Sequence, residues 1–198
     1  FLAMMKSCFD IFRTAIFAGI LIAIAGYGFL AGKSVGMFLF ILGLAAVVSY
    51  QLKLYTGTVG FVKVKEIPTL LIVLAGNILG CFLVSLVAKL DTAMDIQSAA
   101  QGVLQSRLAL GWWPCGVKAI GCGILMSVAV HFARKGKEMG YWIPLVFAVP
   151  LFIHCGFPHC VADAFYFLAC PSDVLAQSGW ELLSVYISIV VGNSVGCN

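Results

Sequence analysis

The sequence predicts an all-α membrane protein of six transmembrane helices, arranged as two three-helix halves of opposite topology, with the second and fifth helices broken. Three observations lead there. The 198 residues are 62% hydrophobic and 10% charged, with a mean hydropathy of +1.07; a soluble domain of this size cannot hide so much apolar surface. The apolar stretches are continuous and lack the alternation of a membrane barrel. Two of them are interrupted by polar or turn-forming residues, "LKLYTGTVG" at 52–60 and "HCGFPHC" at 154–160.

A helix needs ~20 apolar residues to cross a bilayer core, and six segments of about that length run over 10–31, 36–54, 67–89, 108–133, 141–169 and 179–198. Basic residues set their orientation. Six crossings put Lys6, Arg13, Lys53, Lys63, Lys65, Arg134, Lys135 and Lys137 on one side. Lys33, Lys89 and Arg107 fall on the other, so both termini are expected to face the cytoplasm. That asymmetry accounts for the net charge of +4 without a nucleic-acid partner. The start lacks the pattern of a signal peptide, and the last segment stops at Asn198 without a polar tail, as a trimmed end does. Trp112, Trp113 and Trp180 read as interfacial belt residues. The eight cysteines lie mostly inside apolar segments and read as small buried hydrophobes, not as a disulfide framework. The pairs His154-Cys155 and His159-Cys160 lack zinc-site spacing, so no metal and no other cofactor is expected.

The two halves come from recurring strings. "AGILIAIA" at 18–25 is similar to "CGILMSVA" at 122–129, and "AGNILGC" at 75–81 to "VGNSVGC" at 191–197. The first pair falls in segments one and four, the second in three and six. The chain therefore reads as one domain, 1–198, with repeats over approximately 1–89 and 108–198. The shared order weighs against chance likeness between Gly/Ala-rich helices. An odd number of helices per half inverts the second half, and inverted repeats place the pathway at their interface. Non-helical backbone at membrane depth survives only where it is buried in protein or lines a wet cavity, so the paired breaks point to that pathway. His159 lies at the second break, and an ionisable group inside a span is functional by default. His154 precedes the break and reads equally as a cap of the first half-helix. His131, beside Arg134, reads as interfacial. Asp163 is a pore-wall or interprotomer group, and Lys118 a snorkelling or interface residue.

These residues also carry a family resemblance. "GFPHCVADAFYF" at 156–167 resembles the fifth-helix signature of the formate/nitrite transporter family, including its hydrosulfide-channel branch. "LYTG" at 54–57 resembles that family's loop after the broken second helix, "GCGILMSVAV" at 121–130 its fourth-helix motif, and "VGNSVGC" its sixth. The likeness covers essentially the whole chain, and the histidine motif is its most specific part. It implies homopentamers of six-helix, aquaporin-like protomers in the cell (inner or plasma) membrane, each with its own pore for small monovalent anions. It implies His159 as the central pore histidine and Thr56, beside Tyr55, as its hydrogen-bond partner. Phe40, Leu44, Phe152 and Met126 would form apolar constrictions, and Asn193 would support the pore wall. Three positions depart from the family pattern: Pro158 replaces a Glu, Gly123 an Asn and Arg107 a Lys. Arg107 still supplies a charge that draws anions to the entrance, but its usual carboxylate partner is missing; Asp163, one turn beyond His159, is the candidate to fill that place.

The expected function is a channel or proton-coupled transporter for small weak-acid anions such as formate, nitrite or hydrosulfide, not an enzyme. A bare anion in an apolar pore faces a Born penalty of order 20 kcal/mol before relaxation; one that gains a proton crosses as a small neutral acid. Histidine, with a reference pKa of ~6.5, suits such an exchange. Apolar rings disfavour the imidazolium and an approaching anion favours it, while Thr56 fixes the tautomer. Unpaired N–H groups around Phe157–Cys160 are expected to add positive potential, with Pro158 in the first turn of the second half-helix. The alternatives are a neutral small-solute or ammonia-like channel and a Cys/His metal-binding membrane redox protein.

Overall fold

The structure, a computed structural model, describes residues 2–62 and 66–198, with the side chains of residues 2–6 and of Lys33 outside that description. The expected placements of Lys63 and Lys65, and of the Lys6 and Lys33 side chains, therefore lie outside the described residues. The helices are α1 (Leu2–Ser49), α2 (Ile67–Leu90), α3 (Ile96–Leu110), α4 (Trp112–Ala133), α5 (Met139–His154), α6 (Cys160–Ala169) and α7 (Ser172–Cys197), with a 3₁₀ turn at Val59–Phe61. No strand occurs among the described residues. Ser7–Gly32, Ile67–Leu90, Trp112–Ala133 and Ser172–Cys197 are long and apolar enough to cross a membrane, while Ser34–Ser49, Met139–His154 and Cys160–Ala169 are shorter apolar helices. The chain is a multi-pass membrane protein.

The 48 residues of α1 would reach ~72 Å if straight, more than twice a bilayer core of ~30 Å. They do not run straight. A Cβ built on Gly36 would lie 2.4 Å from the Gly28 carbonyl oxygen, and one on Gly43 would lie 2.6 Å from Ala25 Cβ. Along one straight helix, residues 28 and 36 would stand ~12 Å apart. The run therefore doubles back near residue 32 into two antiparallel arms, Ser7–Gly32 and Ser34–Ser49.

The most extensive helix contacts are α1 with α2 and α4 with α7. Both use glycine to bring backbones together, because lipid tails give helices no hydrophobic reason to associate and close van der Waals contact must do it. A Cβ on Gly80 would come 2.2 Å from Ile16 O, and one on Gly196 would come 2.1 Å from Ile120 O. Gly76 faces Ala15, and Gly192 faces Gly116 and Ala119, in the same manner.

Several expected boundaries shift. The segment at 36–54 is helical only to Ser49, and 52–54 lie outside any helix. The segment at 108–133 is divided by Gly111, which has φ +81°, into the end of α3 and the start of α4. Helix α3 was not expected: its sequence is too polar for a span, and its start is fixed locally by Asp95, whose carboxylate accepts from Ser98 N–H as an N-cap does. The segment at 141–169 is broken as expected, ending at His154 and resuming at Cys160. The last helix begins at Ser172 rather than 179, where Gly179 (φ +38°, ψ −123°) bends it. The polar stretch Ser172–Ser178 carries no apolar signal and so escaped the hydropathy reading.

Substituting Gly196 by Leu forces its side chain into the α4 backbone. We expect it to lower stability in detergent by about 1–3 kcal/mol or more, read as the chemical unfolding midpoint. Gly102→Ala is the control, since a Cβ there meets nothing within 4 Å, and its midpoint should not fall.

Candidate functional site

The site forms where the two non-helical stretches meet. After Ser49 the chain turns, with Leu52 N–H donating to Val47 O (2.9 Å) and Thr58 Oγ1 donating to Leu54 O (2.7 Å). After His154 it turns again, through Gly156 at φ +64°, with Phe157 N–H donating to Phe152 O (2.9 Å). Thr56 Oγ1 then lies 3.0 Å from His159 Nε2, and both side chains are buried.

The histidine's second nitrogen is committed. His159 is the N-cap of α6, and its Nδ1 accepts from Ala162 N–H at 3.2 Å. An accepting Nδ1 places the neutral ring's proton on Nε2, which donates to Thr56 Oγ1. Thr56 keeps its own hydroxyl hydrogen, which has no protein acceptor among the described residues. Phe152 packs beside the imidazole (centroids 5.8 Å apart, planes at 31°) and meets Phe40 edge-on at 5.9 Å. Phe40, Leu44, Met126 and Phe152 all sit buried in the core.

Each break is held by an asparagine from the opposite end of its half. Asn77 on α2 donates to Ala15 O (2.8 Å) and Lys53 O (2.9 Å), and its Oδ1 accepts from Tyr55 N–H (2.8 Å). Asn193 on α7 donates to Ala119 O (2.9 Å) and Pro158 O (3.0 Å), and its Oδ1 accepts from Cys160 N–H (2.8 Å). The cysteine four residues beyond each asparagine repeats the parallel. The Cys81 thiol contacts Gly19 O (3.6 Å) and Val161 O (3.3 Å); the Cys197 thiol contacts Gly123 O and Thr56 O, both at 3.3 Å. Asn77, Cys81 and Cys197 were not among the expected site residues, although the strings "AGNILGC" and "VGNSVGC" contain all three. Tyr55 also braces α7, its hydroxyl 2.8 Å from Ser194 Oγ.

The three departures have local explanations, and two expectations need correction. Gly123 has no room for a side chain, since a Cβ there would lie 2.4 Å from Asn193 O. Pro158 is not in the first turn of α6: His159 is the cap, and Pro158 precedes it. Nor are the N–H groups at the break unpaired. Phe157 donates to Phe152 O, His159 to Asp163 Oδ2 (2.9 Å), and Cys160 to Asn193. Arg107 does have a carboxylate partner, with its Nε 3.2 Å from Asp163 Oδ1 and its Nη1 donating to Gly156 O at 3.0 Å. Its side chain is only 14% exposed. His154 is exposed at the end of α5, apart from buried His159, and exposed His131 stacks on Phe61 at 6.1 Å. Lys118, half-buried on α4, brings its Nζ to 3.7 Å from where a Gly156 Cβ would stand, and has no ion-pair partner among the described residues.

A cavity of about 790 Å³ adjoins the first break. Leu54 and Gly57 of the break line it, together with Lys53, Arg134 and Lys137, and no carboxylate does among the described residues. The end of the second arm of α1 and the end of α4 form its walls.

Comparison with known proteins gives a consistent answer. The family described as formate/nitrite transporter matches residues 3–197. Among solved structures, one described as a pentameric formate channel with formate bound superposes with a TM-score of 0.79 at 24% identity, over 97% of this chain and 93% of that one. An FNT family ion channel superposes with a TM-score of 0.74 at 17% identity, over 100% and 95%. At these identities the structural likeness shows the fold alone. Comparison with curated protein sequences gives no match.

Asn193→Asp keeps the acceptor for Cys160 N–H but removes both donors, leaving the carbonyls of Ala119 and Pro158 without them. We expect a loss of at least about 2 kcal/mol, measured by chemical unfolding in detergent. Asn77→Asp should behave alike, because its donors serve Ala15 and Lys53.

Proposed function

The chain belongs to the formate/nitrite transporter family, and from that premise we propose that it is a channel or proton-coupled transporter for small monovalent weak-acid anions such as formate, nitrite or hydrosulfide. It works as a homopentamer in the cell membrane, with both termini cytoplasmic and each protomer an aquaporin-like inverted repeat of six crossings. One observation carries the reading: two broken helices meet at the buried Thr56–His159 contact, next to the Phe152 and Phe40 rings. The doubled-back α1 supports six crossings, and the matching bonds of Asn77 and Asn193 support the repeat.

The mechanism follows from cost. Lys53, Arg134 and Lys137 gather the anion at the cavity beside the first break, as a cleft of one charge sign raises local counter-ion concentration. Beyond it the buried aromatic rings make the bare anion expensive. The Nε2–H of His159 and the hydroxyl of Thr56 are the donors at that point. Held by these two hydrogen bonds, the anion takes up a proton from water on the cavity side, passes the rings as a neutral acid and releases the proton to water on the far side. His159 keeps its single proton on Nε2 and presents it to the anion as a hydrogen bond, because Nδ1 stays engaged as the α6 cap. The basic cavity favours this reading over a neutral-solute channel.

Flux into proteoliposomes of formate, nitrite, hydrosulfide and lactate tests the proposal across a range of pH. Wild-type flux should rise as pH falls, because protonation accompanies passage. His159→Ala should lower it by on the order of 10²-fold, the usual worth of one positioned hydrogen-bond donor to a developing charge. Thr56→Ser should keep activity and Thr56→Val should lose it. Unchanged flux in His159→Ala would rule out the role assigned to the histidine.

A further inference from the structure

We propose that Arg107 and Asp163 form one neutral staple that positions His159, and that neither charge is a binding site for the permeating anion. The inference rests on the transport reading above and extends it to two residues outside the ring-lined centre. Arg107 reaches from the last turn of α3 to the α5–α6 break. Its Nη1 donates to Gly156 O, its Nε donates to Asp163 Oδ1, and Asp163 Oδ2 accepts from His159 N–H. One run of hydrogen bonds thus passes round the break, from the residue that turns the chain to the residue that faces Thr56.

The pattern resembles a capping box with its carboxylate one place late. His159 accepts from the N–H of Ala162, three residues on, and Asp163 answers by accepting the N–H of His159. In the usual box the answering carboxylate stands three residues after the cap. The reciprocal pair fixes the backbone of His159, and therefore where its ring lies against Thr56. Arg107 keeps the carboxylate aimed.

Charge separates this role from anion recruitment. The two side chains are 14% and 1% exposed, and the guanidinium's contacts are to protein oxygens. An anion docking on Arg107 would meet a guanidinium whose charge Asp163 already balances and whose Nε and Nη1 are already engaged. Removing one member of a buried pair leaves the other charge uncompensated, and that charge would then act on any anion passing the break. The two single variants should therefore err in opposite directions. Asp163→Asn leaves a lone cation: anions are held more tightly and leave more slowly, so the half-saturation concentration and the maximal flux both fall. Arg107→Gln leaves a lone carboxylate: anions are repelled, so the half-saturation concentration rises while the maximal flux falls.

The double variant R107Q/D163N decides. Gln ends about where Nε stands, so its amide meets the residue at 163 instead of Gly156 O, while Asn still accepts from His159 N–H, with no net charge added. We expect each single variant to shift half-saturation for formate at least about fivefold, in opposite senses, and the double variant to return within about threefold of wild type. Loss of folded protein would lower maximal flux only, so it cannot imitate the opposed shifts. The proposal is overturned if both singles keep wild-type half-saturation, or if the double variant is no better than the poorer single. Unfolding midpoints of the four proteins form an independent arm, in which the singles should fall and the double should recover. If wild type carried no anion, the transport reading would fail and the staple would be judged on those midpoints alone.

Discussion

Inside a bilayer, backbone that leaves the helix must find a partner for each N–H and C=O it exposes, and everything else in this protein depends on how its two breaks meet that demand. Asn77 and Asn193 meet it. A side-chain amide carries two donors and an acceptor, so one residue replaces several missing helix bonds. Each asparagine reaches its break because glycines beside it bring its helix into backbone contact with the neighbour: Gly76 and Gly80 toward the first arm of α1, Gly192 and Gly196 toward α4. Gly19 and Gly123 return the closeness from the other side, their Cβ positions 2.1 and 2.4 Å from the carbonyls of Asn77 and Asn193. Glycine is required at these positions because only an absent side chain lets helices approach so closely.

The same demand shapes the chemistry of the centre. A histidine that merely lined a pore would be free at both ring nitrogens. Here the start of α6 needs a cap, and Nδ1 supplies it. The imidazole is left with one proton, one direction and one partner, Thr56. The positive end of α6 is likewise engaged within the protein, by Asp163 and Asn193. Further basic side chains line the cavity next to Leu54 and Gly57, where no carboxylate stands among the described lining residues.

Much of this was legible in the sequence because membranes simplify the code. Continuous apolar runs gave the class, interruption at "LKLYTGTVG" and "HCGFPHC" located both breaks, and Thr56 and His159 do meet where the paired breaks required. Hydropathy failed where polarity and helicity part company. It missed α3 and the first turns of α7, and it ran the second segment past Ser49 because Leu52 and Leu54 are apolar though not helical. Asn77 and the two thiols were in view inside the repeated strings, but a string says only that a pattern recurs. Which atoms it serves is set by distances between helices far apart in sequence. The partner of Arg107 was in view, since Asp163 was the candidate carboxylate and the two do pair across 56 residues; the second bond of that carboxylate, to His159 N–H, was not.

The thiol contacts also carry a consequence for how the molecule is made. Cys81, in the first half, reaches Val161 O of the second break, while Cys197, at the end of α7, reaches Thr56 O of the first. Each half thus completes the other's break. When the ribosome has delivered α2, the carbonyl of Thr56 still lacks its partner, which arrives only with the last turn of the last helix. The halves cannot mature in sequence as independent domains do. The contacts that complete the Thr56 end of the centre therefore depend on α7 lying against α4, so a chain cut short before its last turn would lack them however well its other helices were inserted.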